Sequence, residues 1–276
     1  MKKIGLIAGV GRLPVEFARA ARGMGVHVIG IGVLPEVDPE LAQVAHTFEY
    51  INIAKLDRIF KAFKREQVTE ITLLGKINKE LIYAHRELPD LRVLKIFSRL
   101  KNFNDDTLTL ALVEELASAG ITVLDQTKLL QPLMPQAGVL TKRQPTEAEL
   151  ADMRFGLDMA RKIGGLDIGQ TVVVKNRAIM AVEAIEGTDA CIRRGGQLGR
   201  GGVTVAKSAK PKQDMRFDVP GIGPDTIESM AAAGAVALVF EAGRTLVVEK
   251  EVLLEKANQH GMTIVAMAGD EAGTHA

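Results

Sequence analysis

The chain has 276 residues, enough for two average domains, and its 47% hydrophobic and 25% charged residues are those of an ordinary globular protein with a sizeable core. A net charge of +1 argues against a broad basic field for DNA or RNA, and the absence of Trp argues against a stacking platform for single strands. The lone Cys191 excludes an intrachain disulfide and a thiolate zinc cage, and the histidines show no metal-ligand spacing. The apolar run Ile4 to Ala8 is too short for a signal peptide or a membrane span. A soluble, cytoplasmic protein is therefore expected, with a peripheral contact to a membrane surface left open.

Lys3 to Ala8 reads as a buried strand broken by Gly9 and Gly11, with Pro14 in the first turn of a helix that continues from Val15 to Met24. Val26 to Ile31 reads as a second buried strand. Leu56, Ile59, Phe60 and Phe63 are spaced three and four apart, which predicts one face of a helix over Leu56 to Gln67. A strand at Glu70 to Leu74, a helix at Asp105 to Ala119 and a strand at Ile121 to Leu124 follow. Short apolar strands separated by helices predict a Rossmann-like parallel sheet over residues 1–135. Pro132, Pro135, Gly138 and Pro145 break this rhythm, and residues 136–145 read as a linker.

Residues 146–276 read as a distinct C-terminal α/β domain. Thr146 and Glu149 predict a capping box opening a helix to Ile163. Thr171 to Lys175 and Ala178 to Ile185 predict a hairpin turning at Asn176-Arg177. A glycine-rich stretch, Gly195 to Gly202, precedes a strand at Val203 to Ala206. Pro224 opens a helix ending near Gly234. Strands at Ala237 to Phe240, Thr245 to Val248 and Thr263 to Met267, and a helix over Glu251 to His260, complete the domain.

Two regions are candidates for chemistry. Gly9, Gly11 and Arg12 stand between a strand and a helix, where backbone N–H groups attract phosphate. Pro14 replaces the third glycine of a dinucleotide fingerprint, and no acid follows the second strand, so an NAD site is disfavoured. A tight turn required only by packing is the competing reading. The second region is the polar stretch Lys207 to Gly223, which holds Lys207, Lys210, Lys212, Gln213, Asp214, Arg216 and Asp218. If Met215 to Val219 is extended, Arg216 and Asp218 share a face. A cation beside a carboxylate suits an anionic substrate and a metal. Glu186, Thr188 and Asp189 could face the same site, although Thr188 or Asp189 could equally cap a helix. Glu241 and Arg244 stand at the end of a buried strand, where they serve either a site or a hairpin turn.

Taken together, these motifs resemble the UDP-2,3-diacylglucosamine pyrophosphohydrolase family of the lipid A pathway, in its Mg²⁺-dependent form unrelated to calcineurin-like phosphoesterases. The matching pieces are Gly5 to Gly9 with Leu13-Pro14, Asp105-Asp106, Leu166 to Gln170, Glu183 to Asp189, Lys207 to Gly223 and Glu241 to Gly243. The resemblance implies a two-domain enzyme that holds its lipid-linked nucleotide sugar between the domains. It implies cleavage to UMP and 2,3-diacylglucosamine 1-phosphate by water attack on the α-phosphorus, with Mg²⁺ or another divalent cation as cofactor. Asp218 matches the family's essential aspartate, as metal ligand or as the group that orients water. Asp189 and Arg216 are expected to join it in catalysis, with Asp189 a second metal ligand. Thr188, Lys207, Lys210 and Gln213, together with Gly9, Gly11 and Arg12, are expected to bind substrate. Gly221 departs from the threonine common in the family. The resemblance also implies a homodimer; peripheral contact with the inner membrane stays open, and charge and aromatic content leave no nucleic-acid partner expected. The alternative is a non-catalytic protein that binds a nucleotide sugar or phosphate metabolite.

Overall fold

The structure is a computed structural model and describes residues 2–77, 87–100, 105–125, 130–211, 216 and 219–269. The chain passes from one compact unit to a second between Leu130 and Gln131.

The first unit is built on five strands: β1 (Lys3–Ala8), β2 (His27–Gly32), β3 (Thr47–Tyr50), β4 (Glu70–Leu74) and β5 (Thr122–Val123). Their order is β3-β2-β1-β4-β5, with every neighbouring pair parallel. Parallel strands need helical crossovers, and these cover both sheet faces. Accordingly Ile4, Leu6 and Ile7 in the central strand are all fully buried, with no inside–outside alternation. The helices are α1 (Leu13–Gly23), α2 (Leu41–Val44), α3 (Leu56–Arg65), α4 (Leu91–Phe97) and α5 (Asp105–Ser118). In α3 the expected face, Leu56, Ile59, Phe60 and Phe63, is the buried one.

The second unit carries a mixed sheet of six strands: β6 (Gly138–Val139), β7 (Thr171–Lys175), β8 (Ala178–Val182), β9 (Val203–Lys207), β11 (Ala235–Glu241) and β13 (Thr263–Met267). Its order is β6-β13-β11-β9-β7-β8. β9, β11 and β13 are parallel, β7 runs against β9, and β8 runs against β7. β6 pairs antiparallel with β13, so part of the stretch expected as linker is built into this sheet. β10 (Gly221–Ile222) and β12 (Leu246–Val247) form a separate parallel pair.

Helix α6 (Glu147–Gly165) covers one face, and Met153 and Leu157 pack there against Ala206, Ala237 and Val239. Helices α7 (Thr188–Gly199), α8 (Pro224–Ala232) and α9 (Lys250–Gln259) cover the other. On that side Ile192, Ile227, Met230 and Leu253 meet Val205, Leu238 and Phe240. Successive residues of β9 and β11 thus serve opposite layers, and each large aliphatic side chain buried this way contributes about 1.5–3 kcal/mol.

Local chemistry sets the joints. Thr146 accepts the Glu149 amide at 3.2 Å and the Glu149 carboxylate accepts the Thr146 amide at 2.8 Å, the expected capping box. The Arg143 guanidinium, which also donates to Glu149, holds that carboxyl below its ordinary pKa. Asn176 and Arg177 both adopt positive φ (51° and 57°), the conformation of a two-residue hairpin turn that follows strand twist. The Asp152 carboxylate on α6 accepts both of their amides, at 2.9 and 2.6 Å. Of the glycine-rich run at 195–202, residues 195–199 complete α7. At Gly196 a Cβ would stand 2.3 Å from the Ala233 carbonyl oxygen, so the missing side chain lets α7 press against the end of α8.

Candidate active site at the carboxyl edge of the second sheet

Because β7 runs against β9, its first residue lies beside the last residue of β9: Thr171 is paired with Lys207. Glu183, just past the end of β8, donates its amide to the Thr171 carbonyl. Phe240 of β11 is in register with Lys207 on the other side, which puts Glu241 level with Ser208. One sheet edge therefore collects Thr171, Glu183, Lys207, Ser208 and Glu241, and all five are buried. The N-terminus of α7 arrives at the same edge with Thr188 and Asp189.

The hydrogen bonds make this a connected group. Lys207 Nζ donates to Thr188 Oγ1 at 3.3 Å and to the Gly221 carbonyl at 3.0 Å. Thr188 Oγ1 donates to Glu183 Oε1 at 2.9 Å and lies 3.4 Å from Thr171 Oγ1. A hydroxyl has one proton and two lone pairs. With its proton on Glu183, Thr188 accepts from both Lys207 and Thr171. Glu183 Oε2 accepts the Gln170 amide at 3.4 Å, and the Gln170 carbonyl accepts the Ser208 amide at 3.0 Å. The buried Gln170 Oε1 has no hydrogen-bond partner among the described residues. On the α6 side, Glu241 accepts Ser208 Oγ at 3.1 Å and Arg161 Nη2 at 3.2 Å. The arrangement offers a fixed ammonium next to a helix N-terminus, a setting suited to an anion.

The structure thus brings Thr188, Asp189 and Lys207 together. Asp189 is partly buried and has no hydrogen-bond or ion-pair partner among the described residues. Thr188 does not cap α7 with its side chain; Gly187, at φ 82°, takes the cap position. Lys210 donates to Asp167 Oδ1 at 2.6 Å, which holds the exposed Asp167 carboxyl below its ordinary pKa. Glu186 serves its own turn: it accepts the Ala184 amide at 3.0 Å and pairs with Arg194 at 2.5 Å. Arg216 stands in a turn, partly buried, and is grouped with the first unit. Arg216 itself is thus not in an extended run, while Met215, Phe217 and Asp218 lie outside the described residues. Gln213 lies outside them too.

The first glycine turn looks different. A Cβ on Gly9 would lie 2.5 Å from the Lys76 carbonyl oxygen, and Val10 bridges to Lys76, so packing alone requires glycine there. Gly11 has φ 111° and open space around it. Arg12 pairs with Asp38 at 2.8 Å and with Glu40 at 2.5 Å, and those hydrogen bonds raise its pKa.

Residues 3–133 match the LpxI N-terminal domain and residues 136–265 the LpxI C-terminal domain. The chain belongs to the LpxI family. The UDP-2,3-diacylglucosamine pyrophosphatase LpxI of Caulobacter vibrioides is 35% identical over 98% of this chain and 99% of its own length. The bifunctional purine biosynthesis protein PurH of Rhizobium rhizogenes is 24% identical over 77% of this chain, which spans only 39% of that protein. Among solved structures, the biotin carboxylase subunit of pyruvate carboxylase covers 66% of this chain at 15% identity and TM-score 0.26. Biotin carboxylase from Campylobacter jejuni covers 72% at 13% identity and TM-score 0.27. The chain spans 36% and 42% of those two structures, and likenesses at this level carry no argument.

Thr171 and Arg161 belong to the polar group although sequence reasoning did not single them out, and Glu183, which opens the polar run to Asp189, was given no place in the site. Glu183 was legible as the carboxylate ending an apolar strand, and Thr171 as the hydroxyl opening a run of valines. Arg161, inside a long helix, carries no such mark. No three of His, Cys, Asp and Glu cluster as a metal site among the described residues. Glu183 and Glu241 are engaged by hydrogen bonds, and Asp189 remains the one carboxylate of this edge without a partner among those residues. Asp218, the other expected ligand, lies outside the described residues, and Asp189 is the described carboxylate left open to a cation.

Proposed function

We propose that this chain hydrolyses the pyrophosphate of UDP-2,3-diacylglucosamine, releasing UMP and 2,3-diacylglucosamine 1-phosphate in lipid A synthesis. The observation that carries the reading is the buried ammonium of Lys207, held at the N-terminus of α7 by Thr188 in a chain related to LpxI along its whole length. Lys207 offsets negative charge as it develops on phosphoryl oxygen, and the α7 amides add to that field. Glu183 fixes the Thr188 proton, so the Thr188 lone pairs stay turned to Lys207. Water attacks the α-phosphorus, oriented by Asp218.

A divalent cation, Mg²⁺, held by Asp218 and Asp189, belongs to the same proposal; such an ion would polarise phosphoryl oxygen and acidify bound water. The test is UMP release from UDP-2,3-diacylglucosamine by the purified full chain, with Mg²⁺ and after chelation. Turnover should fall below about 1% on chelation and return with Mg²⁺. Asp218→Ala should lower kcat by about 10³-fold or more while the circular dichroism spectrum is unchanged. Saturable binding of the lipid nucleotide without product under every metal would favour a binding protein instead.

No helix among the described residues is long and apolar enough to cross a membrane. The homodimer and the peripheral contact with the inner membrane are part of this reading. Sedimentation with and without anionic vesicles tests both.

A further inference from the structure

Glu241 ends an otherwise apolar strand, Ala-Val-Ala-Leu-Val-Phe-Glu, and is only 5% exposed. Its two oxygens have different partners. Oε2 accepts the Ser208 hydroxyl at 3.1 Å. Oε1 accepts Arg161 Nη2 at 3.2 Å and lies 3.7 Å from Arg244 Nη1. The other terminal nitrogen of Arg161 donates to the Gly269 carbonyl at 2.8 Å, just beyond β13. A buried ion pair is weak evidence for stability, because a well-packed apolar residue in its place often does as well. What the carboxylate adds is direction: it ties α6, the end of β13 and the exit of β9 to one point.

The exit of β9 matters because Lys207 and Ser208 are consecutive and face opposite layers. Lys207 reaches Thr188 on the α7 side, and Ser208 reaches Glu241 on the α6 side. Holding Ser208 therefore limits rotation of the backbone that aims Lys207. It also fixes where the chain departs toward Lys210. We infer that Glu241 is a positioning residue for the hydrolysis, acting through Ser208 and itself oriented by Arg161. This inference rests on the function proposed above.

The experiment compares the full-length wild type with Glu241→Gln, Ser208→Ala and the double variant, using UDP-2,3-diacylglucosamine and Mg²⁺. Each single variant should lose about tenfold in kcat with KM within about threefold, because misplacing a reacting group costs rate more than binding. The double variant should be no slower than the slower single one, since both act through one contact. Multiplying losses, or wild-type kcat in Glu241→Gln, would overturn the inference. Amide exchange read by mass spectrometry does not depend on turnover. It should quicken over residues 208–211 in Glu241→Gln and in Ser208→Ala, and unchanged exchange in a folded variant also overturns the inference. Should Glu241→Gln fail to fold, Ser208→Ala decides by the same two readouts. A wild type that gives no UMP while exchange quickens as expected would instead sink the proposed activity.

Discussion

At the end of β1 the chain turns through Gly9 and Gly11 into α1, and Arg12 meets the carboxylates of Asp38 and Glu40. At the end of β9 a buried Lys207 meets the Thr188 hydroxyl and the Gly221 carbonyl. Both places bring a cation and a glycine together at the carboxyl end of a parallel strand, the second through the distant Gly221. They differ in their surroundings. The first is closed by backbone packed against backbone, with Lys76 filling the space beside Gly9. The second is ringed by buried polar side chains from four strand ends. A strand-end cation becomes a candidate for catalysis through the polar groups that gather around it, more than through the glycines beside it.

Three substitutions probe this contrast. Lys207→Met keeps volume and removes charge, and should lower kcat/KM for UDP-2,3-diacylglucosamine by about 10²-fold. A loss under about threefold would erase the distinction between the two turns. Thr188→Val removes the hydroxyl that links Lys207 to Glu183, and steady-state kinetics should show roughly a tenfold loss. Arg12→Ala should change kcat/KM by less than about threefold, since its charge is committed to carboxylates; a larger loss would bring the first turn into the site.

Arg12→Ala should instead show in stability, by about 1 kcal/mol, as expected for a partly exposed ion pair. Burial works to raise the Asp38 carboxyl pKa, but hydrogen bonds from Arg12 and the Glu40 amide outweigh it and hold it below the ordinary 3.8. A carboxyl lowered in the folded state stabilises above its unfolded pKa and loses that contribution as pH falls through the lowered value. The Tm difference between wild type and Arg12→Ala should therefore be full at neutral pH and shrink below about pH 4. A difference that does not vary with pH would mean the effect is packing.

Much of this architecture could be read from the chain. The buried strands around Ile4, Val28 and Leu238 announced themselves as apolar runs, and the Thr146 capping box and the Asn176-Arg177 turn were readable from local chemistry. β3 was not, because Thr-Phe-Glu-Tyr is an edge strand with little buried surface and so no hydrophobic signature. Gly195 and Gly196 are poor helix formers, yet they sit in α7 where a Cβ would collide with Val173 and Ala233. At the site, Thr188, Asp189 and Lys207 were legible because polar groups gathered in sequence where a core would be apolar. Thr171 and Arg161 were not, because their roles come from strand direction and from helix placement, which no short window contains.

The far end of the hairpin has a bearing on all of this. Asp152 clamps the Asn176-Arg177 turn at the end of β7 opposite Thr171. Side chains alternate along a strand, so a slip of one residue would send Thr171 to the wrong layer and carry Glu183 out of step with Thr188. The turn thus works as a gauge block for a site it never touches. Substitutions around Asp152 should then be silent in substrate contacts and visible in rate, a pattern that would look like action at a distance to anyone scanning variants without the strand pairing in hand.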